Sequence, residues 1–237
     1  MANYVLVLAG GVGSRTEQSI PKQFISVNDK PIIIYTLEVF EKCQDIDGII
    51  VTCLRGWQEP LKAYAKQYNI TKFKDVIEGG VTRLDSLRIG CNKICEFAKD
   101  DDLIITHDGV RALVTEDLIE DSIRVARDHN LVVALQPAVD TMYITKDFCN
   151  IDDTTNRDVL ACGHTPVTVK VGFYKEMFKK LDESGKDGGN CIATAALAIN
   201  EKIYGSKSSS RNIKITTKED IDIFKGLKLL DSINHQK

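Results

Sequence analysis

Hydrophobic positions along the chain fall into short runs separated by polar turns, and the runs alternate between two periods. Residues 5–9 form an apolar run ending in a glycine cluster, as a buried parallel strand does. Pro31 then opens a stretch in which Ile33, Leu37 and Phe40 recur at helical spacing, which places Pro31 in the first turn of a helix. Strand-sized runs at 48–54, 75–78, 103–106 and 131–135 alternate with helical patterns at 61–68, 82–98 and 115–129. Leu84, Leu87, Cys91, Ile94 and Ala98 face inward in one helix; Leu118, Ile119, Ile123 and Ala126 do so in another. This rhythm predicts an α/β fold: a doubly wound, mainly parallel sheet with helices on both faces.

The rhythm breaks between 139 and 163. That stretch is polar, lacks helical periodicity and carries Asp152, Asp153 and Asn156 as turn formers, so it reads as a strand–turn–strand arm projecting from the domain. Helical patterns resume near 172–184 and 191–199. A strand is expected at 212–216, then a terminal helix capped by Thr217 with Asp220 completing a capping box. No repeat or linker divides residues 1–237, which read as a single domain with a β-arm.

Composition narrows the function classes. With 31 Lys and Arg against 34 Asp and Glu, the net charge of −3 offers no global positive field for a nucleic acid. The longest apolar runs are strand-sized, too short for a membrane span. Residues 1–4 lead straight into the first strand, leaving no room for a signal peptide, and the 7 Cys show no metal-ligand spacing. Reduced cysteines and a cytoplasmic location are therefore expected. Cys91 and Cys95 share a helix face, where core packing is the better reading than metal ligation.

The chemistry concentrates after the first strand, in Leu8-Ala9-Gly10-Gly11-Val12-Gly13-Ser14-Arg15 followed by Pro21-Lys22-Gln23. Glycines here let the backbone turn sharply and bring N–H groups against a phosphate chain. The dinucleotide pattern GxGxxG fails, because the run starting at Gly11 ends in Thr16, and no GxxxxGK[ST] run exists. A nicotinamide oxidoreductase and a P-loop enzyme are thus disfavoured. The cations Arg15 and Lys22 beside the loop suit the charge that develops in nucleotidyl transfer. The plain alternative is a tight turn with solvated cations. Asp108 falls at the carboxyl end of a strand, where a carboxylate can anchor Mg²⁺ or merely cap a turn. His107 precedes it directly and so points to the opposite face, as a structural group rather than a base.

These segments resemble the cytidylyltransferases that act on polyol phosphates: the methylerythritol-phosphate enzyme of isoprenoid synthesis and the ribitol-5-phosphate enzyme of teichoic-acid and capsule synthesis. Leu8 to Arg15 with Pro21-Lys22-Gln23 is similar to that family's nucleotide loop. Gly79-Gly80-Val81-Thr82-Arg83 with Ser86 resembles its base-recognition segment, although a plain left-handed turn would also explain the two glycines. Thr106-His107-Asp108-Gly109-Val110-Arg111 resembles the strand end that approaches the triphosphate and Mg²⁺. Asp140-Thr141 and Arg157-Asp158 resemble the arm positions that touch the acceptor's phosphate, and Thr165-Pro166 with Asn212-Ile213-Lys214-Ile215-Thr216 completes the set. Thr16, Gly109, Ala112, Val167 and Asn190 depart from the family pattern, mostly on the acceptor side.

The resemblance implies a Rossmann-like nucleotidyltransferase using CTP, Mg²⁺ and a polyol phosphate, working as a homodimer through the arm. Arg15, Lys22 and Lys214 would be catalytic. Leu8, Ala9, Gly10, Gly11, Gly13, Ser14, Gly79, Gly80, Arg83, Ser86 and Asp108 would bind the nucleotide, with Asp108 also holding the metal. Arg111, Thr141, Arg157 and Thr165 would bind the acceptor. Thr106 and Val110-Arg111 favour D-ribitol 5-phosphate, with 2-C-methyl-D-erythritol 4-phosphate as the alternative acceptor and an inactive nucleotide-binding relative as the rival outside the enzyme class.

Overall fold

Strand β1 (Asn3–Ala9) lies in the interior of a seven-stranded sheet, paired on both sides. The computed structural model describes residues 1–11 and 20–234. After a 3₁₀ turn at Lys22–Phe24, a small hairpin pairs β2 (Ser26–Val27) with β3 (Lys30–Pro31). Asn28 and Asp29 both take positive φ at its tip, as a two-residue hairpin turn requires. Pro31 stands just before α1 (Ile32–Lys42) rather than inside its first turn.

The chain then alternates β4 (Gly48–Cys53), α2 (Gln58–Gln67), β5 (Phe73–Glu78), α3 (Arg83–Cys95), β6 (Leu103–Asp108), α4 (Glu116–Asp128) and β7 (Leu131–Pro137). The arm follows as β8 (Met142–Ile144) and β9 (Asp153–Thr155), an exposed two-stranded hairpin as expected, although its connection spans 145–152, so that Asp153 lies in β9 and Asn156 caps the 3₁₀ turn at Arg157–Val159. Next come β10 (Ala161–Lys170), α5 (Val171–Ser184), α6 (Ile192–Ala198), β11 (Tyr204–Lys207) and α7 (Lys218–Asn234). The sheet order is β11-β7-β10-β6-β1-β4-β5, parallel throughout except for β10, which runs antiparallel to both neighbours.

Period-two alternation sorts the strands' side chains between two cores. Val5 and Val7 of β1, Ile49 and Val51 of β4, and Leu103 and Ile105 of β6 face α1, α2 and α4. Leu6, Ile50 and Ile104 face α3, α5 and α6. A third cluster joins Ile32 and Val110 to Ile215, Ile221 and Phe224, seating α7. Asp220 accepts from the Thr217 N–H at 2.8 Å while Thr217 Oγ1 accepts from the Asp220 N–H at 3.3 Å, the expected capping box. Cys91 is fully buried in the second core, where burial pushes its thiol pKa up, in keeping with a packing role.

Two expectations are corrected. Residues 161–163 belong to β10, not to the arm, and β10 itself has no counterpart in the sequence reading. Gly163, His164, Thr165 and Pro166 blur any alternation, and the register shifts between His164 and Val167. The stretch 212–216 is not a strand. Asn212 spends its side chain on the Thr165 carbonyl, and the Ile215 N–H reaches Val110 O in a single bond instead of a ladder. The edge strand beside β7 is β11, whose Tyr-Gly-Ser-Lys sequence gives no hydrophobic signal.

Candidate active site

The carboxyl ends of β1, β4 and β6 open into a cavity of about 410 Å³. This is where a doubly wound sheet binds ligands, since the connections diverge there and expose backbone groups. Leu8, Ala9, Gly10 and Gly11 form one wall; Gly80, Val81, Thr82, Arg83 and Ser86 form the facing one; Asp108, Val110, Lys214, Lys22, Gln23 and Leu54 complete it.

The facing wall is shaped by the start of α3. Thr82 Oγ1 accepts from the Asp85 N–H at 3.0 Å and Asp85 accepts from the Thr82 N–H at 2.9 Å, closing a capping box. Ser86 Oγ accepts from the Gly80 N–H and donates to Thr82 O, each at 3.0 Å. Neither Gly79 nor Gly80 takes a positive φ, which removes the left-handed-turn explanation. They are glycines for want of room: a Cβ on Gly79 would stand 2.8 Å from Ser86 Oγ, and one on Gly80 would collide with Asp85 Cβ. Gly10 approaches the same hydroxyl from the opposite wall, with 3.4 Å for an added Cβ.

Asp108 anchors the floor. Its Oδ1 takes Arg83 Nη2 at 3.0 Å, and its Oδ2 takes Lys214 Nζ at 3.0 Å and Arg111 Nε at 3.4 Å. Only 6% of the residue is exposed. Burial alone would raise its pKa, but the Arg83, Lys214 and Arg111 charges outweigh that and hold the carboxyl well below the usual range. Arg83 Nη1 also donates to Asn190 O at 2.7 Å, tying α3 to the loop before α6. His107 points the other way, edge-on to the Phe40 ring, and burial lowers its pKa to about 4, so its ring is neutral at ordinary pH.

Arg111 and Thr165 lie behind the cavity rather than on its lining. Arg111 Nη1 donates to Asn212 O at 2.6 Å, and Thr165 Oγ1 accepts from the Asp108 N–H at 3.2 Å, so both brace Asp108 and the segment carrying Lys214. Thr141 and Arg157 sit on the exposed arm, where Arg157 Nη1 donates to Val139 O at 2.8 Å. Gly13, Ser14 and Arg15 lie outside the described residues. Leu54 was not singled out from sequence, though it follows a strand end; Val81, Thr82 and Val110 appeared there within motifs but were not assigned to the nucleotide site. Gln23 appeared there only as part of a motif. Among the described residues no His, Cys, Asp or Glu cluster forms a protein-only metal site, and no helix is long and apolar enough to cross a membrane.

Three cations, Lys22, Arg83 and Lys214, thus line the cavity against one carboxylate, between glycine-walled sides that bring backbone close. Such a crevice at the carboxyl edge of a Rossmann-like sheet has the charge and close backbone that a nucleotidyltransferase needs. The profile of the 2-C-methyl-D-erythritol 4-phosphate cytidylyltransferase (IspD) family matches residues 3–226, and the chain belongs to that family. Among curated relatives, the ribitol-5-phosphate cytidylyltransferase of Lacticaseibacillus paracasei is 33% identical over 225 residues, covering 93% of this chain and 95% of that protein. The ribitol-5-phosphate cytidylyltransferase of Vibrio parahaemolyticus is 32% identical over 231 residues, covering 95% of each. Among solved structures, 4-diphosphocytidyl-2C-methyl-D-erythritol synthase from Anaerococcus prevotii shares the fold, with a TM-score of 0.78 at 24% identity over 97% of this chain and 98% of that one.

Proposed function

We propose that the protein transfers CMP from CTP to D-ribitol 5-phosphate, giving a CDP-polyol and pyrophosphate. The acceptor choice rests on one observation. The ribitol-5-phosphate enzymes match at 29–33% identity along almost the whole chain. 2-C-methyl-D-erythritol 4-phosphate is the second reading, favoured by the family profile and by solved relatives such as that of Francisella tularensis, at 27% identity over 94% of this chain and 98% of that one, with a TM-score of 0.73.

In the reaction an oxygen of the acceptor's phosphate attacks the α-phosphorus of CTP. A P–O bond forms there while the bond to the bridging oxygen breaks, and pyrophosphate leaves with that electron pair. The acceptor brings its own anionic nucleophile, so no side chain need attack or remove a proton. Lys22 and Lys214 line the cavity and would meet negative charge on the phosphates, Arg15 is assigned the same role by resemblance, and Arg83 adds a third described cation. The close backbone of Gly10, Gly79 and Gly80 around Ser86 suits a pyrimidine slot too narrow for a purine.

A single ionised carboxylate at a strand end fits Mg²⁺, which binds through one or two carboxylates, waters and substrate phosphates. Asp108, whose oxygens meet Arg83, Lys214 and Arg111, would hold the ion once CTP draws the cavity-lining Arg83 and Lys214 to its phosphates and supplies the remaining oxygens, and the metal would add neutralising charge there. The arm lacks a core of its own, and Met142, Tyr143, Ile144 and Val159 are exposed on it. A lone hairpin is marginal in water, so a two-fold partner is the expected cover, with Thr141 and Arg157 reaching the partner's acceptor site. All seven cysteines are free thiols, which suits action in the cytoplasm.

The test is to incubate the pure protein with CTP, Mg²⁺ and each polyol phosphate while following pyrophosphate release. Release with D-ribitol 5-phosphate supports the proposal. Release only with 2-C-methyl-D-erythritol 4-phosphate moves the assignment to the second reading. No release with either, alongside CTP binding, identifies an inactive nucleotide-binding relative.

A further inference from the structure

The 3₁₀ turn after the glycine loop carries three consecutive side chains into three different settings. Lys22 lines the cavity, and Phe24 stacks on Trp57 with ring centroids 4.2 Å apart. Between them Gln23 is only 1% exposed, and its amide does something neither the charge pattern nor the family comparison assigns. Gln23 Nε2 donates to Ala9 O at 2.7 Å and to Gly11 O at 3.1 Å. Both hydrogens of one amide nitrogen are thereby committed to carbonyls on either side of Gly10.

We propose that Gln23 is a positioning residue for nucleotide binding: its side-chain amide holds the first turn of the glycine loop in the orientation that presents backbone N–H groups to the triphosphate. This inference rests on the proposed use of CTP. In a trans peptide the N–H points opposite to the C=O, so fixing the Ala9 carbonyl toward Gln23 turns the Gly10 N–H away from it. Without that hold, a glycine pair samples a wide range of backbone angles, and the carbonyl oxygens can swing toward the cavity and repel phosphate. Glutamine suits the post because it is uncharged, long enough to reach both carbonyls and able to donate twice. Methionine has the length and no donor; glutamate, when ionised, sets a charge against two carbonyl oxygens. The same turn sets Lys22 relative to the loop, so the backbone donors and the cation are registered by adjacent residues.

The experiment compares CTP binding by calorimetry, without acceptor, for wild type, Gln23→Met and Gln23→Glu, with thermal unfolding on each. Both variants are expected to unfold cooperatively but at a lower temperature than wild type, Gln23→Glu the lower of the two because it buries a carboxyl group against carbonyl oxygens. The CTP Kd is expected to rise about tenfold or more at a temperature where each is folded, while the KM for the acceptor stays within about twofold. A residue that merely fills space would let Gln23→Met bind CTP within about twofold of wild type, and that result overturns the proposal. Should neither variant fold, wild type itself carries the answer through side-chain amide exchange measured by NMR. Gln23 amide hydrogens exchanging at least about tenfold more slowly than those of exposed Gln67 support the hold, and equal rates overturn it. Exchange needs no ligand, so failure of wild type to bind CTP counts against the functional reading and leaves this measurement to decide the role of Gln23.

Discussion

Asp108 Oδ2 and Lys214 Nζ lie 3.0 Å apart, although more than a hundred residues separate them along the chain. Lys214 comes from an irregular segment, not a strand, and is aimed by its neighbours. Asn212 is clamped to Thr165 O and Arg111, and the Ile215 N–H is bonded to Val110 O. The carboxylate therefore gathers cations from α3, from the turn after β6 and from this late segment into one cluster beneath the cavity.

Asp108→Asn is expected to abolish Mg²⁺-dependent turnover and also to destabilise the protein. The near-equal size of the two side chains suggests little packing cost, but Arg111 is buried and would lose its carboxylate partner. Breaking a buried pair costs about 3–5 kcal/mol. Urea unfolding of the variant against wild type at pH 7 measures it, and unchanged stability would show that Asn212 O alone satisfies Arg111.

His107 gives the fold a pH dependence with a definite sign. Its folded pKa of about 4 lies below the ordinary value near 6.5, so the unfolded chain binds the proton first as pH falls. Its contribution is complete above about pH 6.5 and fades towards pH 4, by about 3 kcal/mol in all. His107→Gln, which cannot titrate, is expected to flatten the stability profile in that window. Denaturant midpoints at pH 7, 6 and 5 for both proteins supply the comparison.

Lys22→Ala is expected to lower kcat by about a hundredfold or more while the KM for CTP changes far less, because charge on the phosphates grows most in the transition state. Steady-state kinetics separates the two. A raised KM at constant kcat would make Lys22 a ground-state binding residue.

The arm's role is open to complementation. Arg157→Ala and Lys22→Ala proteins, each nearly inactive, are mixed and allowed to exchange subunits. If Arg157 serves the partner's site, half the dimers are mixed and each keeps one intact site, so about a quarter of wild-type activity returns. Proven exchange with no recovery, or a protein that stays monomeric at assay concentration, would be incompatible with shared sites.

The sequence by itself determined the alternation of strands and helices, the two-faced sheet, the glycine loop after β1 and the placement of Asp108 at a strand's carboxyl end. These are local matters, since burial at period two or near 3.6 is written into neighbouring residues. It also separated His107 from Asp108, because adjacent strand residues face opposite ways. Tertiary structure alone decided that β10 enters between β7 and β6. A strand broken by Gly163 and Pro166 has no periodic signature, and its place depends on which edges remain unpaired. It alone put Arg83 and Arg111 on the Asp108 carboxylate and Gln23 beneath the loop. Such contacts are chosen by packing between distant segments, and nothing in the residues next to Gln23 or Asp108 records who will arrive.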